Sequence, residues 1–294
     1  MKQLYIILVL SIGAMVFFAI ALLFEFNTIR QGQVFYEELY LEVYQNQNQL
    51  DEHLSPVINA SLPKLVEPTM DILVKEDNSN EEFQIIETET IETKEIVEES
   101  IKEPTIFTSI IDFDTLKENY PTLVAWIKSE NINYPIVQGK DNNYYLSRLP
   151  NGKHHVMGSI FLDYRNLKDF SEQCIILYGH DSRKGDMFGS LKHYANQEYY
   201  EQNSSMFIFT PECDYKLILI AGYIIDSAIE VPPMNFSDST DLARYVTDIK
   251  SRSIFKSDSS IEINYDDQLV YLATCTPTGS INDRLIIVGK LVWL

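Results

Sequence analysis

The sequence predicts a mainly β domain that follows an N-terminal membrane helix and an acidic linker. Eight short apolar segments, separated by turn residues, lie between residues 134 and 294, and one longer helical pattern interrupts them. An apolar run without charges occupies residues 4–24, and a carboxylate-rich segment of low complexity occupies residues 67–103. The strand candidates favour a mainly antiparallel β structure, either closed or sandwich-like.

The composition excludes a disordered chain and a nucleic-acid-binding protein. Of the 294 residues, 45 % are hydrophobic, and the formal net charge is −20. Phosphate recognition needs clustered Lys and Arg, so we expect no nucleic-acid partner. The chain has three cysteines, at positions 174, 213 and 275, and none has the CxxC spacing of a zinc site. The sequence therefore predicts neither a metal nor a cofactor.

Residues 4–24 predict a single membrane-spanning helix. At about 1.5 Å per residue the run extends about 32 Å, which matches the hydrocarbon core of a bilayer. Ala19 and Ala21 form an A-x-A pattern, so a cleaved signal peptide is the alternative. The apolar run continues beyond that pattern, which favours an uncleaved anchor. Lys2 precedes the run, so we expect a cytoplasmic N-terminus and an extracellular body on a single-pass membrane protein.

These features divide the chain into three predicted parts. Residues 1–30 form the membrane anchor, residues 31–106 form a juxtamembrane helix and an acidic stalk, and residues 107–294 form the folded domain. Within the second part, residues 31–54 have a loose helical spacing, which predicts a juxtamembrane helix, and a stalk segment is the alternative. The run of Glu and Thr in residues 80–104 repels itself and stays extended, which predicts a spacer that lifts the domain off the membrane.

The folded domain is predicted to begin with a helix and to continue mainly in strands. Residues 113–129 have a helical spacing that is interrupted before Pro121. A second helix is predicted for residues 239–253, because apolar residues recur there at intervals of three and four. The strand candidates are YPIVQ, GSIFLDY, QCIILYG, SMFIFT, YKLILIAGYII, SIEINY, QLVYLATC and RLIIVGKLVWL.

Cys275 is the last residue of one of these apolar strands. By the two-residue period of a strand it shares a face with Tyr271 and Ala273. A catalytic thiol needs such a rigid support and must still be reached by substrate, so Cys275 is a candidate nucleophile. A small core residue is the alternative interpretation. Cys174 and Cys213 have apolar neighbours and are interpreted as buried structural residues, and the sequence leaves open whether they form a disulfide.

Two other strand ends carry residues that suit a thiol enzyme. His180 follows the strand that breaks at Gly179, and an imidazole transfers protons near neutral pH. Arg284 opens the strand after Cys275, so the guanidinium returns to the thiol if these two strands are neighbours. A permanent cation there would stabilise an oxyanion and a thiolate. A surface arginine paired with Asp283 is the alternative.

The residues resemble those of the sortases, the membrane-anchored cysteine transpeptidases of Gram-positive cell surfaces. The sequence TC followed by Arg284, with YGH upstream, matches the Cys, Arg and His pattern of that family. INYPIVQGKDNNYYL, GSIFLDYRN and YGHDSRKGDMFGSLKHY resemble class B in particular, and a helix before the cysteine strand is a class B trait. The resemblance implies a closed eight-stranded sortase-type β-barrel with peripheral helices over residues 107–294.

The resemblance also implies the activity and the site. The catalytic set would be His180, Cys275 and Arg284, with Thr274 as a substrate contact and no cofactor. Sortases cleave a C-terminal sorting motif, LPxTG-like or NPxTN-like, after its threonine and transfer the acyl group to an amine. Expected partners are therefore surface proteins with such a signal, and an amine of a peptidoglycan precursor (lipid II) or of a pilin lysine. Ala273 and Thr276 replace a serine and an acidic residue of many class B members, which leaves the motif open.

Other interpretations of the cysteine are weaker. A papain-type protease has its cysteine before its histidine, the reverse of the order here, and the local QACxG pattern of caspases is absent. The alternative from a different class is a non-catalytic stalked surface β domain that binds a ligand or partner. In that protein Cys275 would be unreactive.

Overall fold

The computed structural model describes residues 2–61, 109, 111–182, 184–275 and 282–294. For Cys275 it describes the backbone alone. Contacts divide the chain into two units, one formed by Met1–Leu50 with Phe107–Leu294 and the other by Asp51–Ile106. The predicted acidic stalk lies outside the described residues, so the three-part division of the chain stays a prediction.

Eight strands within the described residues close into one barrel. The strands are β1 (Leu123–Lys128), β2 (Asn133–Gln138), β3 (Ile160–Leu162), β4 (Cys174–Tyr178), β5 (Ser205–Phe209), β6 (Asp214–Asp226), β7 (Gln268–Cys275) and β8 (Asp283–Trp293). Their order around the barrel is β1-β2-β3-β4-β7-β8-β6-β5. The α-helices are α1 (Lys2–Ser61), α2 (Phe113–Asn119), α3 (Gln197–Gln202) and α4 (Ser239–Ser251), and 3-10 turns occupy Tyr144–Ser147 and Gly189–Ala195.

The barrel confirms the predicted fold class. Two strand pairs, β2 with β3 and β4 with β7, are parallel, and the other pairings between described strands are antiparallel. The predicted helix before the cysteine strand is α4. It begins where Asp238 accepts hydrogen bonds from the backbone N–H groups of Thr240 and Asp241, at 2.8 and 2.9 Å, which is the normal role of an N-cap aspartate.

One predicted element is wrong in its second half, and another is wrong throughout. The helix predicted for residues 113–129 ends at Asn119, and β1 follows Pro121 and pairs with both β2 and β5. Pro121 stops the helix, and the β-branched and aromatic residues after it suit a strand. Residues 260–265, predicted as a strand, form no ladder. Ile261 and Ile263 instead pack, partly buried, against the outside of the barrel.

Strand alternation separates the interior of the barrel from its outer faces. On β7, Val270 and Leu272 belong to the interior cluster, whereas Tyr271 and Ala273 point outward. Helix α4 covers this outer face with the buried side chains of Leu242 and Ile249. The strand is therefore apolar on both faces, as the sequence of β7 indicates.

Helix α1 covers the opposite outer face. Leu39 and Val43 are buried in a cluster that also contains Phe113 of α2, Trp126 of β1 and Phe161 of β3. The first proline of the chain is Pro56, so no proline interrupts the helix between the apolar run and these contacts. Among the residues with described side chains, one helical stretch, Gly13–Val43, is long and apolar enough to cross a membrane.

Polar contacts fix α1 to the loops at one end of the barrel. The hydroxyl of Tyr36 donates to the carbonyl of Gly158 at 2.7 Å, and Nε2 of His155 donates to the carbonyl of Thr28 at 2.7 Å. Gly32 allows this approach, because a Cβ there would lie 2.3 Å from Cε1 of His155 and 2.6 Å from Sδ of Met157. The predicted helix over residues 31–54 is thus part of a longer helix that packs on the barrel.

We expect the packing of α1 to contribute to the stability of the barrel. Leu39 is 2 % exposed, so Leu39→Ala should lower the free energy of unfolding by about 2 to 4 kcal/mol through the cavity it leaves. Leu41 on the same helix is 54 % exposed, and Leu41→Ala should change the value by less than about 0.5 kcal/mol. Urea unfolding of the full chain in detergent micelles measures both. Equal effects of the two substitutions would contradict this packing.

Candidate active site

The ends of β4 and β7 lie side by side at one end of the barrel. These strands are adjacent and parallel, with Tyr178 opposite Ala273. Beyond the ladder, the N–H of Gly179 donates to the carbonyl of Ala273 at 3.2 Å. His180 follows Tyr178 by two residues and Cys275 follows Ala273 by two residues. The parallel register therefore brings the backbones of His180 and Cys275 together, although ninety-odd positions separate them in the sequence.

Arg284 lies directly opposite Cys275 in the next strand pair. The antiparallel ladder of β7 and β8 makes these two residues partners. Arg284 is half-buried, shares the outer face of β8 with Ile286, and donates from Nη1 to the carbonyl of Asp283 at 2.9 Å. Directly opposed residues of an antiparallel pair have their Cβ atoms about 5 Å apart. The structure thus brings together all three predicted catalytic residues at one end of the barrel.

The imidazole of His180 forms a hydrogen bond with a backbone carbonyl of the described residues. Nε2 donates to the carbonyl oxygen of Leu146 at 2.5 Å, in the Tyr144–Ser147 turn. A carbonyl can only accept, so this bond keeps the proton on Nε2 and leaves Nδ1 to exchange a proton. The same carbonyl stabilises the ring when it is charged. This partner is a backbone atom, so no pattern in the sequence indicates it.

Gly158 allows the turn to reach His180. Its φ angle is +59°, and a Cβ there would lie 2.6 Å from the carbonyl oxygen of Leu146 and 2.7 Å from that of Tyr145. Any larger residue would displace the carbonyl that holds the imidazole. Ser159 also fixes the turn, because its N–H donates to the carbonyl of Tyr145 at 3.0 Å.

A buried carboxylate, Asp163, joins the same turn to the end of β4. It accepts from Nε and Nη2 of Arg165 at 2.9 and 2.8 Å, from Nδ2 of Asn142 at 2.9 Å and from the hydroxyl of Tyr178 at 3.1 Å. Burial alone would raise the pKa of Asp163, but the hydrogen bonds from Arg165 and Asn142 outweigh it and hold the pKa below its usual value. Asp163 thus fixes the segment before the turn relative to the strand that leads to His180.

Thr274 lies on the other face of β7. It is 3 % exposed and alternates with Val270 and Leu272, whose side chains fill the barrel interior. Its hydroxyl has no hydrogen-bond partner among the described residues. The structure therefore places Thr274 next to Cys275 in the chain but with its side chain buried, and its predicted contact with substrate stays a prediction. Thr276 lies outside the described residues.

A cavity of about 470 Å³ opens beside His180. Helix α1 contributes Glu25 and Ile29 to its wall, and the loops of the barrel contribute Val156, Met157, His180, Asp181, Ser182, Lys184 and Met187. Burial raises the pKa of the Asp181 carboxyl, and the nearby Lys192 partly offsets the effect. The sequence predicts α1 to lie in the membrane and the linker, and no local pattern in it indicates this wall.

The two other cysteines do not suit nucleophilic chemistry. Cys174 and Cys213 are buried and are not joined by a disulfide. Burial raises the pKa of Cys174 to about 12, so its thiolate is scarce at neutral pH. Burial also raises the pKa of Cys213. Both observations agree with the structural role predicted from their apolar neighbours.

Comparisons with known proteins identify relatives of the same kind in sequence and in structure. A family model described as the sortase domain matches residues 126–292. Sortase B of Listeria monocytogenes is 30 % identical over 173 residues, which cover 58 % of this chain and 70 % of that protein. Sortase B of Staphylococcus aureus is 29 % identical over 184 residues, which cover 61 % of this chain and 74 % of that protein.

Solved structures of sortase B are similar to this chain in fold. A Staphylococcus aureus sortase B–substrate complex has a TM-score of 0.58 and 28 % identity, and the match covers 62 % of this chain and 85 % of that one. Sortase B from Bacillus anthracis in complex with AAEK2 has a TM-score of 0.56 and 34 % identity, covering 62 % and 83 % of the two chains.

We expect Cys174 and Cys213 to resist alkylation in the folded protein. Iodoacetamide at about pH 8 reacts with accessible thiolates, and both thiols are buried with raised pKa values. Peptide mass spectrometry of the full chain should show label at Cys275 before either of them. All three cysteines should be labelled after unfolding in guanidinium chloride. Label on Cys174 in the folded protein would contradict its burial.

We expect Asp163→Asn to lower the free energy of unfolding by about 2 kcal/mol at neutral pH, because charge-assisted hydrogen bonds from Arg165 are lost. The folded pKa of Asp163 lies below the unfolded value, so this contribution is complete above the unfolded pKa. It disappears as the pH falls through the folded pKa, below about pH 4.

Urea unfolding of the wild type and of Asp163→Asn over this pH range measures the effect. Because the contribution of Asp163 disappears at low pH, the free energies of unfolding of the two proteins should become equal in acid. The exposed Asp266 gives the control, since Asp266→Asn should follow the wild type at every pH. A difference for Asp163→Asn that is independent of pH would show that the charge of Asp163 is not responsible.

Proposed function

Because the chain belongs to the sortase family of cysteine transpeptidases, in class B, we propose that Cys275, His180 and Arg284 are its catalytic residues. The observation that supports this most strongly is the register of three neighbouring strands. Tyr178 pairs with Ala273 and Cys275 pairs with Arg284, so the three residues come from adjacent strand ends. Cys174 and Cys213 are buried with raised pKa values, which leaves Cys275 as the nucleophile.

The first half-reaction forms a thioester. The thiolate of Cys275 attacks the carbonyl carbon of a threonine in the sorting motif, and the guanidinium of Arg284 stabilises the oxyanion. The C–N bond then breaks, and the departing amine takes a proton from His180. The acyl group stays on the sulfur, and the C-terminal part of the substrate leaves with a free amino group.

The second half-reaction transfers the acyl group to another amine. The incoming amine attacks the thioester carbonyl while neutral His180 accepts its proton, and the thiolate of Cys275 leaves. The hydrogen bond from Nε2 to Leu146 assigns the proton exchange in both directions to Nδ1. The catalytic residues return to their starting protonation states, and neither half-reaction requires an oxidant or a cofactor.

The substrates follow from the family at the level of class. Sortases act on surface proteins with a sorting signal and on amine nucleophiles, and we propose the same for this chain. A motif similar to LPxTG or NPxTN is the donor, and an amine of lipid II or of a pilin lysine is the acceptor. Thr274, the residue before Cys275, is proposed as a substrate contact; its hydroxyl is buried and has no hydrogen-bond partner in the described part of the chain. Ala273 is buried on the outer face of β7, where many class B members carry serine.

The N-terminal helix suggests a membrane anchor, and we propose that the barrel is extracellular. Sortases act at the cell surface, and the apolar run of α1 precedes the barrel in the chain. Lys2 lies before the run, which favours a cytoplasmic N-terminus. The sorting signals and the cell-wall amines are on the side of the membrane where this orientation places the barrel.

We expect the full chain in detergent micelles to cleave an LPxTG or NPxTN peptide and to join it to a glycine oligopeptide. Cys275→Ala should abolish both reactions. His180→Ala and Arg284→Ala should each lower kcat/KM by at least about a hundredfold, since they remove proton transfer and oxyanion stabilisation. Fluorescent peptide cleavage and mass spectrometry of the product measure these effects.

Matched controls separate the site from general damage. His193 and Arg244 are exposed and lie in other elements, so His193→Ala and Arg244→Ala should keep wild-type kinetics. Circular dichroism should show the barrel in every variant. The proposal fails if Cys275→Ala retains cleavage, or if the control substitutions cost as much as those at the site.

A further inference from the structure

Helix α1 passes directly from its apolar run to contacts with the barrel. The apolar run ends at Phe24, and the carbonyl of Thr28 accepts the hydrogen bond from His155. These positions are four residues apart, which is an axial rise of about 6 Å. The loop that carries His155 is therefore within the thickness of a headgroup layer of the end of the apolar run.

A second loop extends back along α1 toward the apolar run. Lys184, four residues after His180, lines a cleft whose other members are Ala19, Leu22, Leu23, Glu25, Phe26 and Ile29 of α1. Its Nζ lies 5.1 Å from the centre of the Phe26 ring. A lysine at the end of an apolar helix places its ammonium among phosphates while its carbon chain covers apolar surface.

The direction of α1 decides which end of the barrel faces the membrane. The hydrogen bonds from the barrel to α1 begin at Thr28, beside the loops that follow His180 and precede β3. The contacts of α1 continue to Leu39 and Val43, in a cluster that contains Phe209 at the end of β5. Phe209 pairs with Asp214 at the start of β6, the end of the barrel away from Cys275. The end that carries His180 is thus the end nearest the apolar run.

We propose that the barrel rests on the membrane with its active-site end against the phospholipid headgroups, held there by α1 as a rigid strut. The contact surface comprises Val156, which is 55 % exposed, and Lys184, together with the exposed Lys153 and His154 of the same loop as Val156. The partner of this surface is the bilayer into which α1 inserts. The cavity beside His180 then opens at the level of the headgroups, where a membrane-bound substrate would present its reacting group.

Close packing makes this placement rigid. Gly32 brings α1 against His155 and Met157, and the Tyr36 hydroxyl donates to the carbonyl of Gly158. The side chain of Gln33 donates to the carboxylate of Asp186 at 3.3 Å, in the loop after His180. A helix fixed by these contacts transmits the direction of its membrane segment to the barrel, whereas a flexible linker would not.

The test uses depth-dependent fluorescence quenching with the full chain in phosphatidylcholine–phosphatidylglycerol vesicles. Some of the lipids carry bromine near the headgroup, which quenches tryptophan at that depth. Val156→Trp should gain an emission component that these lipids quench. The wild type is the control, because Trp126 is buried in the barrel wall and Trp293, 72 % exposed, lies at the opposite end of β8. An added component that is quenched no more than the wild-type emission overturns the proposal.

A second pair of variants tests the strut. Gly32→Leu in the Val156→Trp background should separate α1 from the loop, and the added quenching should be lost while circular dichroism still shows a folded barrel. Gly13→Leu is the matched control, since a Cβ at Gly13 meets no atom within 4 Å, and it should keep the quenching. Quenching that survives Gly32→Leu would show that α1 does not hold the barrel in place. Neither result depends on peptide cleavage, so the proposed function stands or fails separately.

Discussion

The parallel pairing of β4 with β7 is the constraint on which the candidate active site depends. Parallel neighbours cannot be joined by a tight turn, and here the connection runs through residues 179–267. This connection includes α3, β5, β6 and α4, and it returns the chain to the strand beside the one it left. A histidine and a cysteine that are distant in sequence can therefore leave the barrel at the same end. Because β7 is buried on both faces, a shift by one residue would exchange its interior and outer side chains, so core packing fixes the register that joins them.

The outer surface of the barrel explains why the site lies where it does. Helix α4 covers one side, over β4, β6, β7 and β8, and helices α1 and α2 cover the other, over β1, β2 and β3. Tyr178 is partly buried and packs against both of these outer clusters. It also donates to Asp163, which ties the boundary between the two clusters to the turn that holds His180. The site thus lies at the border between two helical layers, where rigid walls on both sides leave a strand end accessible.

Much of this could be predicted from local patterns. The predicted strands that correspond to β2 to β8 combine apolar or alternating residues with turn signals, and the candidate residues at 180, 275 and 284 stand out because each lies at an end of such a pattern. The strand β1 was missed because Val124 and Ile127 also fit the helical spacing that begins before Pro121. The strand predicted at residues 260–265 was wrong because alternation indicates only that one face is buried, and a loop over a helical layer meets that condition. Three features could not be predicted: the carbonyl of Leu146, the space at Gly158 and the wall formed by α1. Each depends on a contact between segments that are distant in sequence, and a local pattern does not indicate such contacts.

The charge of the chain makes the rigid attachment of α1 physically necessary for the orientation that we propose. A net charge of −20 opposes close approach to anionic headgroups, and a lysine near the surface contributes only about 1 kcal/mol in return. Residues 107–294 have 17 Lys and Arg against 24 Asp and Glu, so electrostatics alone would not hold the barrel against the membrane. Burial of the apolar run in lipid supplies a much larger free energy, but it holds only the helix, and a mobile joint after Phe24 would not transmit it to the barrel. The helix is continuous from the apolar run to Leu39, and Gly32 and Tyr36 contact the barrel. The free energy that inserts the helix into the bilayer therefore also fixes the position of the site.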